Sequence, residues 1–523
     1  MLFCITLFEI LTVLLWTVYL YKYVYRGGVI VKTTVSLALL VLSLILGGQL
    51  SSLYSTGHYI ETMTLSNIGS YRDVGWKILV SSALITVTVL SLTITAAVIA
   101  RKSLTKVIRW PVAFYCLFFC CVNPQGAILN FGKAYHTFLD QSFFSPDAVV
   151  REQQKKLYGK DYTFDNDADV LESLDLRNKN IVVVFAEGFS AQWIGKFNKY
   201  KGLTPNLDRF LEQSVWFDNY YNHTAATFRG LRGQLTSSYQ YRGGYMGGKG
   251  LGEISDESIR KTLSGTVISI PHILKDNGYH SYFLVAHQSN YQLNLVLRIL
   301  EFDKVYGADD FSSAHLDLTD QQLFPILGDL VNNHKLKSPY LLGTYNVGTH
   351  LGQDSPDVKY GDGKNQLLNT IHNFDDAFGK FWDSVKGRKD LVVILTADHA
   401  AYPSDLYNKT FMTQRKYFVD KIPLVIWGHN IKHSVIDAHG RNSLDFAPTL
   451  LQSMGIRHGF NYFLGCSLFN PACPRKFEFL HCEGEWCLET PTMRILDKSN
   501  ADDATMLKKI RDFFNFSEDS RFL

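Results

Sequence analysis

The stretch IVVVFAEGFS, residues 181–190, decides the fold. Ile181 to Phe185 are consecutive apolar residues. A strand that hides every side chain fits only the interior of a parallel sheet covered on both faces. The run breaks on one acid, Glu187, which therefore stands at the strand's C-terminal end, the edge where ligands bind in open α/β sheets. A second run of the same design is LVVIL at 391–395, followed by Thr396, Ala397, Asp398 and His399. Two buried strands are thus expected to deliver Glu187, Asp398 and His399 to one spot.

Around these two runs the pattern alternates. Further strands are expected at 281–285, 340–345 and 422–427, and helices at 205–213, 270–277, 367–385 and 443–454. Pro205 after Thr204 gives the first of these helices a cap and a start signal. Alternation of this kind predicts an α/β domain, a mostly parallel sheet with helices on both faces. Neither an internal repeat nor a low-complexity tract interrupts it.

The chain has 523 residues, 46% of them hydrophobic and 14% aromatic, which excludes wholesale disorder and exceeds one ordinary domain. A net charge of +3, with no basic run interleaved with aromatics, gives no nucleic-acid signal. The first quarter differs from the rest. Residues 2–20, 29–50, 76–100 and 107–122 are nearly charge-free apolar stretches, close to the ~20 residues a membrane-spanning helix needs, and predict about four spans. Lys22, Arg26 and Lys32 lie at the first junction, and Arg101, Lys102, Lys106 and Arg109 at the third. By the positive-inside rule these junctions are cytoplasmic, and everything after Val122 is expected outside the cytoplasm. The first stretch lacks a basic n-region and a small-residue cleavage site, so it reads as a retained anchor. Residues 124–177 read as a juxtamembrane helical linker, with helices at 131–143 and 149–157. Residues 178–523 read as the extracytoplasmic catalytic domain with a Cys-rich C-terminal segment.

Cys466, Cys473, Cys482 and Cys487 form an even set in that segment. Two disulfides, in any of three pairings, are the expectation in an oxidising compartment. A structural zinc site is the rival reading, although the paired C-x2-C spacing is missing.

Carboxylate oxygens and an imidazole can share a divalent cation, and this mixed donor set suits Zn2+ or Mn2+ better than Ca2+ or Mg2+. A fourth member is Thr227, in HTAATFRG at 223–230. A hydroxyl held by a divalent cation becomes acidic enough to act as a nucleophile near neutral pH. Should Thr227 open a helix, backbone N–H groups would also face an attacked phosphate. An ordinary helix N-cap is the alternative for Thr227, and Thr224 is the alternative nucleophile. Arg229 and Arg232 follow closely and are candidates for holding phosphate or for buried pairing with an acid. His287 is read either as a group pointing into the site or as a hydrogen-bonded core histidine. His223 is a weaker candidate, and the glycine-rich run at 242–253 reads as a solvated loop or a lid.

In that order Glu187 in VVVFAEGFS, LTPNLDRFLEQSVWFDNYY at 203–221, Thr227 in ATFRGL, His350 in GTHLG and Asp398–His399 in ILTADHAAY resemble the alkaline phosphatase/sulfatase superfamily. KIPLVIWG at 421–428, SLDFAPTLLQSMGI at 443–456 and LGCSLF at 464–469 extend the likeness. Its membrane-anchored lipoteichoic acid synthase-like branch, with the phosphoethanolamine and phosphoglycerol transferases, is the nearest in pattern. The resemblance implies one catalytic metal, Zn2+ or else Mn2+, on Glu187, Thr227, Asp398 and His399. It also implies Thr227 as nucleophile and His350 assisting at the phosphate or leaving group. The implied reaction moves a phospholipid headgroup, phosphoethanolamine first and phosphoglycerol second, onto lipopolysaccharide or another envelope glycan at the bacterial inner membrane, with the catalytic domain periplasmic. A hydrolase or a non-catalytic envelope-assembly protein is the alternative. Three departures stand out. These relatives usually have five spans. The Trp and Arg that some lipoteichoic acid synthases place after the His287 position are not evident in QSNYQLNLVL. No Cys or Ser in a C/S-x-P-x-R context stands at Thr227, which argues against sulfate-ester hydrolysis.

Overall fold

The computed structural model describes residues 2–24, 28–57, 59–60, 65, 76–102, 123–143, 174–225, 227–237, 269–289, 291–311, 317–333, 336–350, 357–456, 463, 465–470, 480–482, 486–489 and 494–496. The chain divides into two compact units, Met1–Gln141 and Ser142–Leu523.

The first unit holds the helices Leu2–Val24, Val29–Thr56, Trp76–Lys102 and Ala127–Phe143. Two segments, Val29–Ser55 and Trp76–Ile99, are long and apolar enough to cross a membrane, and Leu2–Val18 is a shorter apolar helix. The expected span at 107–122 and the expected helix at 149–157 lie outside the described residues. This unit is inside out by the standards of a water-soluble bundle. Leu7, Leu11, Leu15, Leu37, Leu84 and Val87 are exposed, whereas Thr6, Glu9, Thr12, Ser43, Gln49 and Thr93 are buried. Small and polar residues bring the helices together. Ser43 and Thr93 share a 2.8 Å hydrogen bond, and a Cβ on Gly47 would stand 2.9 Å from Thr86 Cα. Such packing is what helices use where lipid supplies no hydrophobic drive between them. Glu9 Oε2 accepts the backbone N–H groups of Ala127 (2.9 Å) and Ile128 (3.2 Å), satisfying two of the orphan donors at the start of the helix Ala127–Phe143.

The second unit is built on an eight-stranded mixed sheet. Its strands are β1 (Asn180–Ala186), β2 (Val215–Asp218), β3 (His280–Val285), β4 (Lys304–Tyr306), β5 (Tyr340–Tyr345), β6 (Leu391–Ala397), β7 (Leu424–Gly428) and β8 (Ser434–Asp437). The spatial order is β4-β3-β5-β1-β6-β7-β2-β8. All neighbours are parallel except β7, which runs antiparallel to both β6 and β2. β1 sits in the interior and all seven of its residues are buried, as the apolar run requires. Its register against β6 pairs Ala186 with Ala397, so the next residues, Glu187 and Asp398, leave the sheet side by side. On the other flank Phe185 pairs with Tyr345, the last residue of β5.

Helices fix the sheet from outside. The helix Gln366–Val385 buries Phe374, Phe378, Phe381 and Trp382, at ~1.5–3 kcal/mol per fully buried side chain of this size. Phe210, from the helix Pro205–Leu211, packs edge-on against Phe378 and Trp382 at 5.0 and 5.3 Å. The sequence assigned the cap of that short helix to Thr204, and the structure corrects it. Thr204 makes no capping bond to its own helix; its Oγ1 accepts Gly195 N–H instead. Asp375 takes over the cap, accepting the N–H groups of Asn206 (3.2 Å) and Leu207 (2.7 Å). A smaller antiparallel sheet comprises β9 (Leu480–Cys482), β10 (Trp486–Glu489) and β11 (Arg494–Leu496).

Candidate metal and phosphate site

Glu187, Asp398 and His399 are all buried, and one ligand atom from each lies within 4.8 Å of the others. His399 Nε2 is 3.5 Å from Glu187 Oε1 and 3.6 Å from Asp398 Oδ2. Thr227 is the first residue of the helix Thr227–Thr236, and its hydroxyl donates to Glu187 Oε2 at 2.9 Å. Residues that the sequence separates by two hundred positions therefore meet at the C-terminal edge of β1 and β6.

Backbone geometry makes the meeting feasible. Gly188 adopts φ +53°, a left-handed turn that costs glycine nothing, and its N–H donates to Asp398 Oδ1 at 2.9 Å. The same oxygen accepts His399 N–H at 2.7 Å. Gly230 lets the helix Thr227–Thr236 touch the chain after β6: a Cβ there would lie 2.0 Å from the carbonyl oxygen of Asp398. Gln234, one turn on, donates to Ala397 O at 2.9 Å.

Around Glu187 a second layer of bonds holds the carboxylate. Tyr345 donates its hydroxyl to Glu187 Oε2 at 2.6 Å. Asn346 Oδ1 accepts Glu187 N–H at 3.0 Å, and Thr349 Oγ1 donates to Glu187 O at 2.6 Å. Asn346 is itself held by Asp320 Oδ1 at 3.0 Å, and Asp320 also accepts Gly348 N–H at 3.2 Å. These residues were missed from sequence, although Tyr345, at the C-terminal end of an anticipated strand, carried a readable signal.

The electrostatics suit a cation. Two carboxylates face each other away from water, so burial and the charge of Glu187 push the Asp398 carboxyl far above its usual range. Asp398 Oδ2 is buried and accepts no hydrogen bond, an expensive position for a carboxylate oxygen with no other partner. Burial lowers the His399 pKa, against the charge of Glu187, and keeps the imidazole in the neutral form that binds metals. A divalent ion would repay both penalties. The residues present fit one.

The remaining candidates fall at graded distances. His350 is half-buried and its charge reaches both Glu187 and His399. Arg229 is 6% exposed; its charge reaches Tyr402, whose ring lies 5.1 Å from that of His399. Arg232 is 1% exposed on the buried side of the same helix. His287 Nδ1 lies 3.0 Å from Asp317 Oδ2, and its ring packs 3.9 Å from Tyr291 and 6.1 Å from Tyr345. It stands one residue behind the cluster as a hydrogen-bonded histidine. His223 shares a 2.7 Å bond with Ser443 Oγ, and burial lowers its pKa to about 3. Of the C-terminal cysteines, Cys466 is fully buried, Cys482 and Cys487 stand on the adjacent strands β9 and β10, and Cys473 lies outside the described residues. The run at 242–253 lies outside them too.

Residues 179–456, more than half of the chain, match the sulfatase family model. No curated protein matches the sequence. A solved protein in the alkaline phosphatase superfamily from Vibrio parahaemolyticus is similar at 18% identity, over 72% of this chain and 97% of its own, with a TM-score of 0.52. The lipoteichoic acid synthase LtaP from Listeria monocytogenes is similar at 16% identity, over 71% of this chain and 98% of its own, with a TM-score of 0.51.

Proposed function

The chain belongs to the sulfatase family, and from that premise we propose that it is a membrane-anchored phosphotransferase. It moves a phospholipid headgroup onto an envelope saccharide, lipopolysaccharide or another glycan, through a phosphothreonine intermediate. One observation carries this reading: the Thr227 hydroxyl stands 2.9 Å from a buried carboxylate that shares its cluster with Asp398 and His399.

A divalent cation, Zn2+ or alternatively Mn2+, held by Glu187, Thr227, Asp398 and His399 would supply a lowered hydroxyl pKa and charge neutralisation at the phosphoryl oxygens. The chain's own groups do the rest. The bond from Thr227 Oγ1 to Glu187 Oε2, with Tyr345 on the same oxygen, fixes the direction of attack. Thr227 Oγ1 gives its proton along its bond to Glu187 Oε2 and bonds to phosphorus, the phosphorus–oxygen bond to diacylglycerol breaks, and His350 gives the leaving alkoxide a proton. An acceptor hydroxyl then displaces Thr227, which takes its proton back from Glu187, and His350 takes the acceptor's proton. Arg229, Arg232 and His287 hold the phosphate oxygens or the second layer around them.

Phosphoethanolamine is the first choice of headgroup. Phosphoglycerol is the second, favoured by the similarity to a lipoteichoic acid synthase. The apolar, lipid-suited exterior of the first unit supports a membrane anchor, and the cations at its junctions support a multi-pass bacterial inner-membrane arrangement with the catalytic domain periplasmic. Tethering then keeps the enzyme among its lipid donors. In an oxidising compartment Cys466, Cys473, Cys482 and Cys487 form two disulfides. Purified protein in detergent, given labelled phosphatidylethanolamine or phosphatidylglycerol, tests this. Diacylglycerol release with headgroup mass added at Thr227 is the expected result. Release of free headgroup with no adduct and no transfer to a saccharide would make it a hydrolase.

A further inference from the structure

A cavity of about 290 Å³ opens between the segment after β1 and the paired strands β2 and β7. It lies at the same edge of the sheet as Thr227. β2 runs parallel to β8 and antiparallel to β7, and Leu424 pairs with Thr396 at the top of β6. The start of β7 and the end of β2 therefore reach the edge where β6 delivers Asp398. β2 is three places from β1 in the sheet, about 14 Å at ~4.8 Å per strand. Two short connections tie the cavity to the site: Gln192 follows Glu187 by five residues, and Tyr221 precedes Thr227 by six.

The lining has an aromatic floor and a neutral polar rim. Phe197 and Trp216 lie ring to ring at 5.1 Å, and the indole N–H of Trp216 is buried without an acceptor. Gln192, Asp218, Asp420 and Lys421 form the rim. Its charges are already matched. Lys421 Nζ lies 2.8 Å from Asp218 Oδ1, and Arg415 lies 3.1 Å from Asp420 Oδ2. A phosphate would find Lys421 taken and the Lys196 ammonium held over the Trp216 ring, 5.9 Å from its centroid, and an ammonium would find both carboxylates taken. What remains is the part of the Trp216 ring that Phe197 and Lys196 leave open and several polar groups that accept or donate one more hydrogen bond. Neutral polyhydroxylated rings match that inventory, since their C–H faces lie on aromatics and their hydroxyls serve as both donors and acceptors.

We infer that this cavity binds a sugar ring of the acceptor, Trp216 being its platform, so that an adjoining unit of the saccharide presents its hydroxyl toward Thr227. The inference rests on the transferase reading above for its role, but its test needs no turnover. Full-length protein in detergent is mixed with methyl β-glucopyranoside, and ligand-observed saturation-transfer NMR reads binding, with thermal melts as the fold control. Transfer to the sugar is expected for the wild type, at least tenfold weaker binding for Trp216→Ala, and about threefold weaker for Trp216→Phe, which keeps a ring with a smaller face. Should Trp216→Ala fail to fold, Trp216→Phe carries the test. Absence of sugar binding, or equal binding by the variants, overturns the inference. So does displacement of the sugar by O-phosphoethanolamine or glycerol 3-phosphate at equal concentration. Sugar binding that depends on Trp216, in a protein where Thr227 never gains mass, leaves the cavity assigned and removes the transferase reading alone.

Discussion

Replacing Gly230 by alanine tests whether the site depends on one close contact between the helix Thr227–Thr236 and the chain after β6. The new Cβ would lie 2.0 Å from Asp398 O and 2.7 Å from its carbonyl carbon. An ordinary carbon–oxygen approach is ~3.3 Å, so the two backbones must part by about 1 Å. Neither is the end of a flexible side chain, and Thr227 and Asp398 move apart with them. Overpacking of this kind costs ~1–3 kcal/mol, while alanine in place of a helical glycine returns up to ~1 kcal/mol. Net stability should change by no more than ~2 kcal/mol. A misplacement of ~1 Å at a reacting group can cost ~100-fold in rate, which is ~2.7 kcal/mol of barrier. The expected signature is a folded protein with a small shift of the thermal midpoint and about a hundredfold lower release of p-nitrophenol from bis(p-nitrophenyl) phosphate, a diester with no headgroup preference. Retention of more than a third of the activity would show that the geometry tolerates the separation and that the contact is incidental. Gly233→Ala is the control for overpacking alone, because its Cβ meets the His223 ring, 2.0 Å from Nε2, and no backbone of the site.

Three other outcomes follow from the same geometry. Tyr345→Phe removes the 2.6 Å bond to Glu187 Oε2, a hydrogen bond to a charged group worth ~1.5–3 kcal/mol. Turnover should fall about tenfold with the fold intact, and unchanged turnover would leave Tyr345 with no part in positioning. Dialysis against EDTA should abolish activity, and Zn2+ or Mn2+ should restore it together with a higher melting temperature, because an ion bound only by the folded form stabilises it. Chelator-insensitive activity would count against the four-residue site. Asp320 is fully buried and its carboxyl is raised by burial to about 6 from 3.8. Below pH ~4 both folded and unfolded forms keep the proton and the group costs nothing. Between ~4 and ~6 only the folded form keeps it, so wild-type stability falls, by at most ~3 kcal/mol, and is flat above. Asp320→Asn keeps the acceptor for Asn346 and Gly348, so its stability relative to wild type, read by denaturant melts, should rise over that window; a pH-independent difference would refute the burial argument.

How much of this was legible depended on whether a residue's role was set by local pattern or by its neighbours. β1 and β6 could be read because a run buried on both faces has no other home, and the observed spans, Asn180–Ala186 and Leu391–Ala397, extend the expected strands Ile181–Ala186 and Leu391–Leu395 by one residue and by two. β5 was read as Tyr340–Tyr345 and is that. β2, β4 and β8 were not, since four residues ending on an acid, three with an exposed lysine, or a strand as open as Ser434–Asp437, are too short or too polar to stand out. The reversal of β7 was invisible for a different reason. Strand direction is decided by the connection and not by the apolar run itself. The helix Asp320–Asn332 was hidden by Pro325 in its interior, a residue that usually argues against one.

The same division applies to the site. Glu187, Asp398 and His399 were found because each ends a buried run, and a charged residue at such a place has to be satisfied there. Thr227 required the family's pattern, since a threonine opening a helix is ordinarily a cap. Nothing in sequence shows that Asp375 already caps a helix elsewhere, or that Asn346 spends its side chain on the backbone of Glu187 and the carboxylate of Asp320. These bonds join segments more than twenty positions apart, in most cases more than a hundred, and both partners are common surface residues whose burial is a product of the fold. The consequence is chemical. The carboxylates and the imidazole of the cluster stand at strand ends where pattern exposes them, whereas the groups that set the angle of Glu187, and with it the bond it accepts from Thr227, come from the loop after β5 and its anchor on Asp320. A change in that loop should therefore alter rate while leaving the ligand set, and the reading of the family, untouched.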